Sequence, residues 1–207
     1  MSGNKTYNFD KLAKVYNTPI FQFFCFLAHS SCLRFLKNTF KDNLNILDIA
    51  CGTGTFTKRL TKIKNGLRVF GIDNSKGMIS IANKKNVACF KTANAEEIPF
   101  PDNYFDLITI TDSFYYFKDK DKSISECCRI LKTNSHLFIY TPYADSFFSR
   151  LLIKFGQISP TEKGSKHLKF LEIKNIAEKY GLIIVNKKIK YYPLTPFKYW
   201  LLLLVKN

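Results

Sequence analysis

The stretch from Ile46 to Leu60, Ile-Leu-Asp-Ile-Ala-Cys-Gly-Thr-Gly-Thr-Phe-Thr-Lys-Arg-Leu, constrains the fold more than any other part of the chain. An apolar run carrying one acid, Asp48, ends at a glycine pair, Gly52 and Gly54, and a helical pattern follows at once. That order describes a strand, a tight glycine turn and a helix N-terminus, which lets backbone approach a nucleotide-like ligand closely. Downstream apolar runs alternate with helical patterns, so a parallel sheet covered on both faces is expected.

The residue types around the turn narrow the ligand. A G-x-G-x-x-G dinucleotide fingerprint counted from Gly52 needs a third glycine where Thr57 stands. A phosphate-cradling loop needs Gly-Lys-Ser/Thr at the helix start, where the chain has Gly54-Thr55-Phe56. Asp48, placed before the turn, repels phosphate and favours a ligand bearing ammonium or sulfonium charge. S-adenosylmethionine carries both cations and no phosphate. Leu67 to Ile72 then reads as a short buried strand closed by Asp73. An acid there, at the tip of the next parallel strand, either accepts from both ribose hydroxyls or caps the helix that begins near Ser75.

Leu47-Asp-Ile-Ala-Cys-Gly-Thr-Gly54, Gly71-Ile-Asp73, Ala95-Glu-Glu-Ile-Pro-Phe100, Phe105-Asp-Leu-Ile108 and Ser125-Glu-Cys-Cys-Arg-Ile-Leu-Lys132 occur in that order. This set resembles the class I S-adenosylmethionine-dependent methyltransferases, in the type 11 small-molecule branch that includes the ubiquinone/menaquinone C-methyltransferases. The resemblance spans about residues 44 to 142. It implies a Rossmann-like α/β fold: a seven-stranded, mostly parallel sheet, an antiparallel C-terminal strand inserted between two neighbours, and helices on both faces. It also implies S-adenosyl-L-methionine as cofactor, with no metal. Gly52 and Gly54 are then expected at the methionine part, with Asp48 reaching the ammonium through backbone or water. Asp73 is expected on the ribose, Asn94, Ala95 and Glu96 at the adenine edge, and Tyr16 over the methionine tail. Ala50, Asn74 and Thr111 join this cofactor set by the same resemblance. Met78 either flanks adenine or packs in the core.

Three departures bear on chemistry. Asn94 stands where the family usually has Asp, so its donors and acceptors toward adenine differ. Thr133-Asn134-Ser135 replaces a Pro-Gly-Gly turn, and Asn and Ser suit a turn equally. Phe114-Tyr115-Tyr116-Phe117 occupies the place of a frequent His pair after the fourth strand.

Strands are expected near 44–49, 67–72, 87–91, 105–111, 136–141, 182–192 and 198–205, with helices near 55–64, 75–85, 119–132 and 171–180. Residues 182–205 suit a hairpin across Pro193 to Pro196. Residues 1–41 form a helical cover broken at Pro19, and 42–207 form the methyltransferase domain, with a lid insertion at about 143–170. The run Tyr199 to Val205 is far shorter than the roughly 20 apolar residues of a membrane span and suits a buried strand.

Net charge is +16, from 32 basic and 16 acidic residues. The bases are almost all lysine and are scattered, so a solvated surface is favoured over a nucleic-acid face. Six cysteines show no C-x-x-C pair, and with no secretory n-region a cytoplasmic location is expected. Phe21, Phe23, Phe24 and Phe26 exceed what one buried stripe needs, which suggests an apolar acceptor pocket or peripheral contact with a lipid surface. The expected activity is methyl transfer to a small apolar or aromatic acceptor, quinone-, polyketide- or lipid-like. Tyr115 and Tyr116 are candidates to stack on it and His167 is a candidate base. An RNA methyltransferase and a non-catalytic binder on the same fold are the alternatives.

Overall fold

A computed structural model describes residues 9–16, 18–156, 165–191 and 197–207. Helices α1 (Phe9–Tyr16) and α2 (Pro19–Leu36) come first. Pro19 starts α2 rather than interrupting a helix, as befits a residue with no N–H to leave unpaired in a first turn. There follow β1 (Asn45–Ile49), α3 (Thr55–Leu60), β2 (Arg68–Asp73), α4 (Lys76–Asn83), β3 (Cys89–Thr92) and β4 (Phe105–Thr111). A 3-10 turn at Phe114–Tyr116 leads into α5 (Lys120–Ile130), β5 (Leu131–Pro142), α6 (Phe147–Gly156), α7 (Phe170–Lys179), β6 (Leu182–Tyr191) and β7 (Lys198–Lys206).

The strands form one seven-stranded sheet in the order β3-β2-β1-β4-β5-β7-β6. The pairs among β1 to β5 are all parallel, and β7 runs antiparallel to both β5 and β6. The expected antiparallel insertion of 198–205 is therefore present; its turn, across Pro193 to Pro196, lies outside the described residues.

Alternation along the strands builds two cores. Leu137 and Ile139 of β5, with Trp200, Leu202 and Leu204 of β7, face Ile124, Cys127 and Ile130 of α5 and Ile173 and Ala177 of α7. Phe138, Tyr140, Leu201 and Leu203 face the other way, onto Ala28, Cys32 and Leu36 of α2 and Phe56 and Leu60 of α3. Strands buried on both faces read as continuous apolar runs, which is the pattern of Leu201 to Leu204.

Several boundaries differ from expectation. β5 starts at Leu131 rather than 136, and α5 ends at Ile130 rather than 132. Phe105 pairs with Leu131, but Leu107 pairs with His136, so residues 132–135 bulge out of the ladder. Asn134 at φ 59° takes the turn conformation foreseen for it, inside that bulge. The helices α2 and α3 close at Leu36 and Leu60, short of 41 and 64. The stretch 143–170 holds α6, and 157–164 falls outside the described residues.

Candidate active site

The loop after β1 is held from below. Cys51 N donates to Ile72 O at 3.0 Å, and Gly54 N donates to Cys51 O at 2.9 Å. Ala50 (φ 54°), Gly52 (φ 54°) and Gly54 (φ 75°) all take left-handed backbone. The glycines play different parts. A Cβ on Gly52 would meet nothing within 4 Å, whereas one on Gly54 would lie 2.8 Å from Phe90 Cζ. A Cβ on Gly71 would lie 2.6 Å from Phe90 Cδ1 and 2.9 Å from Cys51 Sγ. Gly54 and Gly71 thus provide the close packing that a third fingerprint glycine would supply, and Gly52 borders open space beside the β2 tip.

Asp73 joins the two loops that meet there. Its Oδ2 accepts from Gly52 N at 2.9 Å and its Oδ1 accepts from Ser75 N at 2.9 Å. The cap of α4 is Ser75, whose Oγ accepts from Met78 N, so the helix-capping alternative for Asp73 does not describe this structure. Burial pushes the Asp73 carboxyl above its ordinary value, against the opposing effect of the two N–H donors. A carboxylate offers about four acceptor positions, so two remain for a vicinal diol. This geometry, and the space over Gly52, fit the ribose and methionine parts of S-adenosylmethionine.

Asp48 lies beneath the loop, fully buried. Thr57 Oγ1 donates to its Oδ2 at 2.6 Å and Thr109 Oγ1 to its Oδ1 at 2.9 Å. Burial pushes its carboxyl up to about 7. With no exposed surface, it acts on the loop only through its neighbours and its field. Thr57, which stands where the fingerprint glycine would be, is the partner that ties it to α3.

Residues the sequence reading passed over hold the N-terminal cover on the site. Asp10 Oδ1 accepts from Ser75 Oγ at 2.6 Å and from Gly77 N at 2.7 Å. Gln22 Oε1 accepts from Thr55 Oγ1 at 2.7 Å, while Gln22 Nε2 donates to the Tyr16 carbonyl. Gln22 thus links the Tyr16 backbone to the start of α3. The small-residue signal for this docking was Gly77, whose Cβ would sit 3.0 Å from Asp10 Cα.

At the expected adenine edge, Ala93 N donates to Asp73 O at 3.0 Å, and Asn94 bridges to Glu97. Ala95 is buried and Asn94 and Asn74 are exposed. Glu96 Oε1 accepts from Lys118 N and Asp119 N at 3.0 and 3.2 Å, so its carboxylate holds the α5 entry. Behind this edge lies a cavity of about 700 Å³ lined by Asn94, Glu96, Lys120, Lys166 and neighbours. Lys120 Nζ donates to Phe117 O at 2.9 Å, and burial draws its pKa down to about 8. Met78 is 2 % exposed, which matches its core reading. Thr111 is half-buried at the end of β4.

The three acceptor-side candidates form one cluster. The Tyr115 ring stacks on His167 at 4.4 Å and tilts against Tyr116 at 4.3 Å, and Tyr116 meets Phe9 edge-on at 5.2 Å. Ser165 Oγ lies 2.9 Å from His167 Nε2. Tyr115 Oη donates to Asp112 Oδ1 at 3.2 Å. Asp112, at φ 55° just past β4, is an acid the sequence reading did not select; its signal was a lone carboxylate following a buried strand.

Residues 47–139 match the family model described as a methyltransferase domain. A ubiquinone/menaquinone biosynthesis C-methyltransferase of Francisella tularensis is 36 % identical over 104 residues, covering 46 % of this chain and 41 % of that protein. The matched stretch is thus less than half of that relative's length. Among solved structures, an S-adenosylmethionine-dependent methyltransferase of Thermotoga maritima, described as a possible histamine N-methyltransferase, superimposes with a TM-score of 0.78. It is 21 % identical, and the alignment covers 96 % of this chain and 98 % of that one. The magnesium protoporphyrin IX methyltransferase of Synechocystis, solved with S-adenosylhomocysteine bound, superimposes with a TM-score of 0.74 at 17 % identity, covering 97 % and 96 % of the two chains. At those identities the likeness is one of fold.

Proposed function

We propose that the protein is an S-adenosylmethionine-dependent methyltransferase that transfers a methyl group to a small apolar or aromatic acceptor of quinol type, a reading supported by the methyltransferase-domain match over residues 47–139. The observation that carries the cofactor half is the open face of Gly52 beside the Asp73 carboxylate. When bound, the cofactor supplies an electrophilic methyl group on a sulfonium. The chain's contribution is position and electrostatics. Asp73 orients the ribose diol, the Gly52–Gly54 backbone admits the methionine part, and Asn94 and Ala95 line adenine. Asp10 and Gln22, through Ser75 and Thr55, hold the cover that keeps water from the reacting centre.

The acceptor half rests on the aromatic cluster of Phe9, Tyr115 and Tyr116 and on the quinone named in the relative's description. In this reading Tyr116 stacks on a planar acceptor. Tyr115 Oη, hydrogen-bonded to Asp112, lies on the path by which an acceptor proton leaves. Bases on this side are carboxylate or imidazole, Asp112 or His167. An RNA acceptor has less support: of the five arginines, Arg129 is tied to Asp102 and Glu126 and Arg59 lies over Phe26.

Calorimetric titration with S-adenosylmethionine tests the first half, and absence of binding sinks it. Methyl transfer from labelled cofactor to short-chain quinols, measured beside total RNA, tests the second. Labelling of RNA alone would replace the quinol reading.

A further inference from the structure

Among the described side chains of α6, Phe147, Arg150, Leu151 and Lys154 are exposed. At 100° per residue they share a single stripe, with Phe147 76 % and Leu151 38 % exposed. On α2 a second stripe follows the same rule. Pro19, Phe23, Phe26 and Arg34 face outward together, and Phe23 and Phe26 are each 53 % exposed. Arg59 extends that stripe, its guanidinium 4.4 Å above the Phe26 ring and hydrogen-bonded to Phe26 O and Ser30 Oγ. Neither helix contains an acidic residue.

Both helices begin at the end of the sheet where the strands β1 to β5 finish. The first turns of α2 are pinned there by Gln22 to Thr55, just past β1. α6 follows the end of β5 directly, where Asp145 accepts from Trp200 Nε1 and Phe170 N. Exposed phenylalanines with cations beside them make a poor aqueous surface and a good interfacial one. No described helix is long and apolar enough to cross a membrane. Contact must then be lateral, with aromatic rings at the acyl boundary and cations among headgroups.

We propose that the exposed α2 and α6 stripes, whose helices begin at the same end of the sheet, dock the protein on an anionic lipid bilayer. Charge complementarity selects that occupant: the chain carries +16, and both stripes bear cations without acids. The docking deepens the acceptor reading above, since it brings the open end of the site to the phase where an apolar acceptor dissolves. It is nonetheless testable without any acceptor.

The experiment is co-sedimentation of the full chain with vesicles of mixed phosphatidylglycerol and phosphatidylcholine, beside pure phosphatidylcholine. Binding is expected to the mixed vesicles and not to the neutral ones. Each double variant, Phe23→Ser/Phe26→Ser and Phe147→Ser/Leu151→Ser, is expected to lower the partition about ten-fold. Circular dichroism and thermal melting check that these already exposed positions leave the fold intact. The proposal is overturned by absence of binding to the mixed vesicles, by equal binding to neutral ones, or by binding that both double variants leave unchanged. Because no quinol is present, a failure here is separate from a failure of the acceptor assay.

Discussion

The amide of Gly52 donates to Asp73 Oδ2 at 2.9 Å, so the first loop and the tip of β2 are one unit rather than two neighbouring motifs. Asp73→Asn keeps one acceptor oxygen but turns an NH₂ toward the N–H of Gly52 or of Ser75. Cofactor affinity is expected to fall about ten-fold or more, with a loss of stability of about 1–3 kcal/mol. Titration calorimetry and urea unfolding read the two effects. An unchanged Kd would remove Asp73 from the site.

Gly52 and Gly54 are expected to separate under the same substitution. Gly52→Ala meets no atom within 4 Å, so its cost is left-handed backbone strain of about 1–2 kcal/mol. Its methyl group fills the cofactor space, so binding weakens. Gly54→Ala adds a 2.8 Å approach to the Phe90 ring and should cost about 2–4 kcal/mol. Equal unfolding midpoints for the two variants would contradict this division of roles.

Asp48 should give stability an inverse pH dependence. Its folded pKa, about 7, exceeds the ordinary value of 3.8, so between these values the folded state binds more protons than the unfolded state. Stability contributed by the neutral acid is full below the ordinary value and is lost as pH rises through about 7. Asp48→Asn should flatten that slope and gain on wild type at pH 8. Parallel pH profiles of the two proteins would refute it.

His29 works in the opposite sense. It packs half-buried against Phe56, its Nδ1 enclosed and without a hydrogen-bond partner among the described residues, and burial of the ring, with Arg59 nearby, draws its pKa down to about 3. The unfolded chain takes up a proton below the ordinary 6.5 and the folded state resists it. Stability is thus lost as pH falls from about 6.5 toward 3. His29→Leu should remove this acid sensitivity, as thermal melts between pH 4 and 7 would reveal.

The features legible in the sequence were those carried by local pattern. The unbroken apolar runs Leu137 to Tyr140 and Leu201 to Leu204 announced strands, and the Gly52–Gly54 pair announced the ligand loop. What was illegible depends on partners far along the chain. Asp48 was expected to reach the ammonium through backbone or water, and nothing local shows that Thr109, 61 residues away, closes over it. Asp10 and Gln22 carry no motif, and their roles arise only when α1 and α2 fold back on Ser75 and Thr55. The early start of β5 was hidden because Lys132 to Ser135 are polar and bulge, so the ladder resumes only at His136.

The place of β7 has a consequence for synthesis. It follows β6 in sequence yet lies between β5 and β6, so β6 has no neighbour until β7 has been made. A growing chain can complete the parallel pairs of β1 to β5 and then wait, with Phe138 to Tyr140 along an unprotected edge. At about 5–20 residues per second, that interval lasts seconds. The nascent chain is most exposed to wrong pairing then, and the strand that ends the danger is the most apolar stretch it makes.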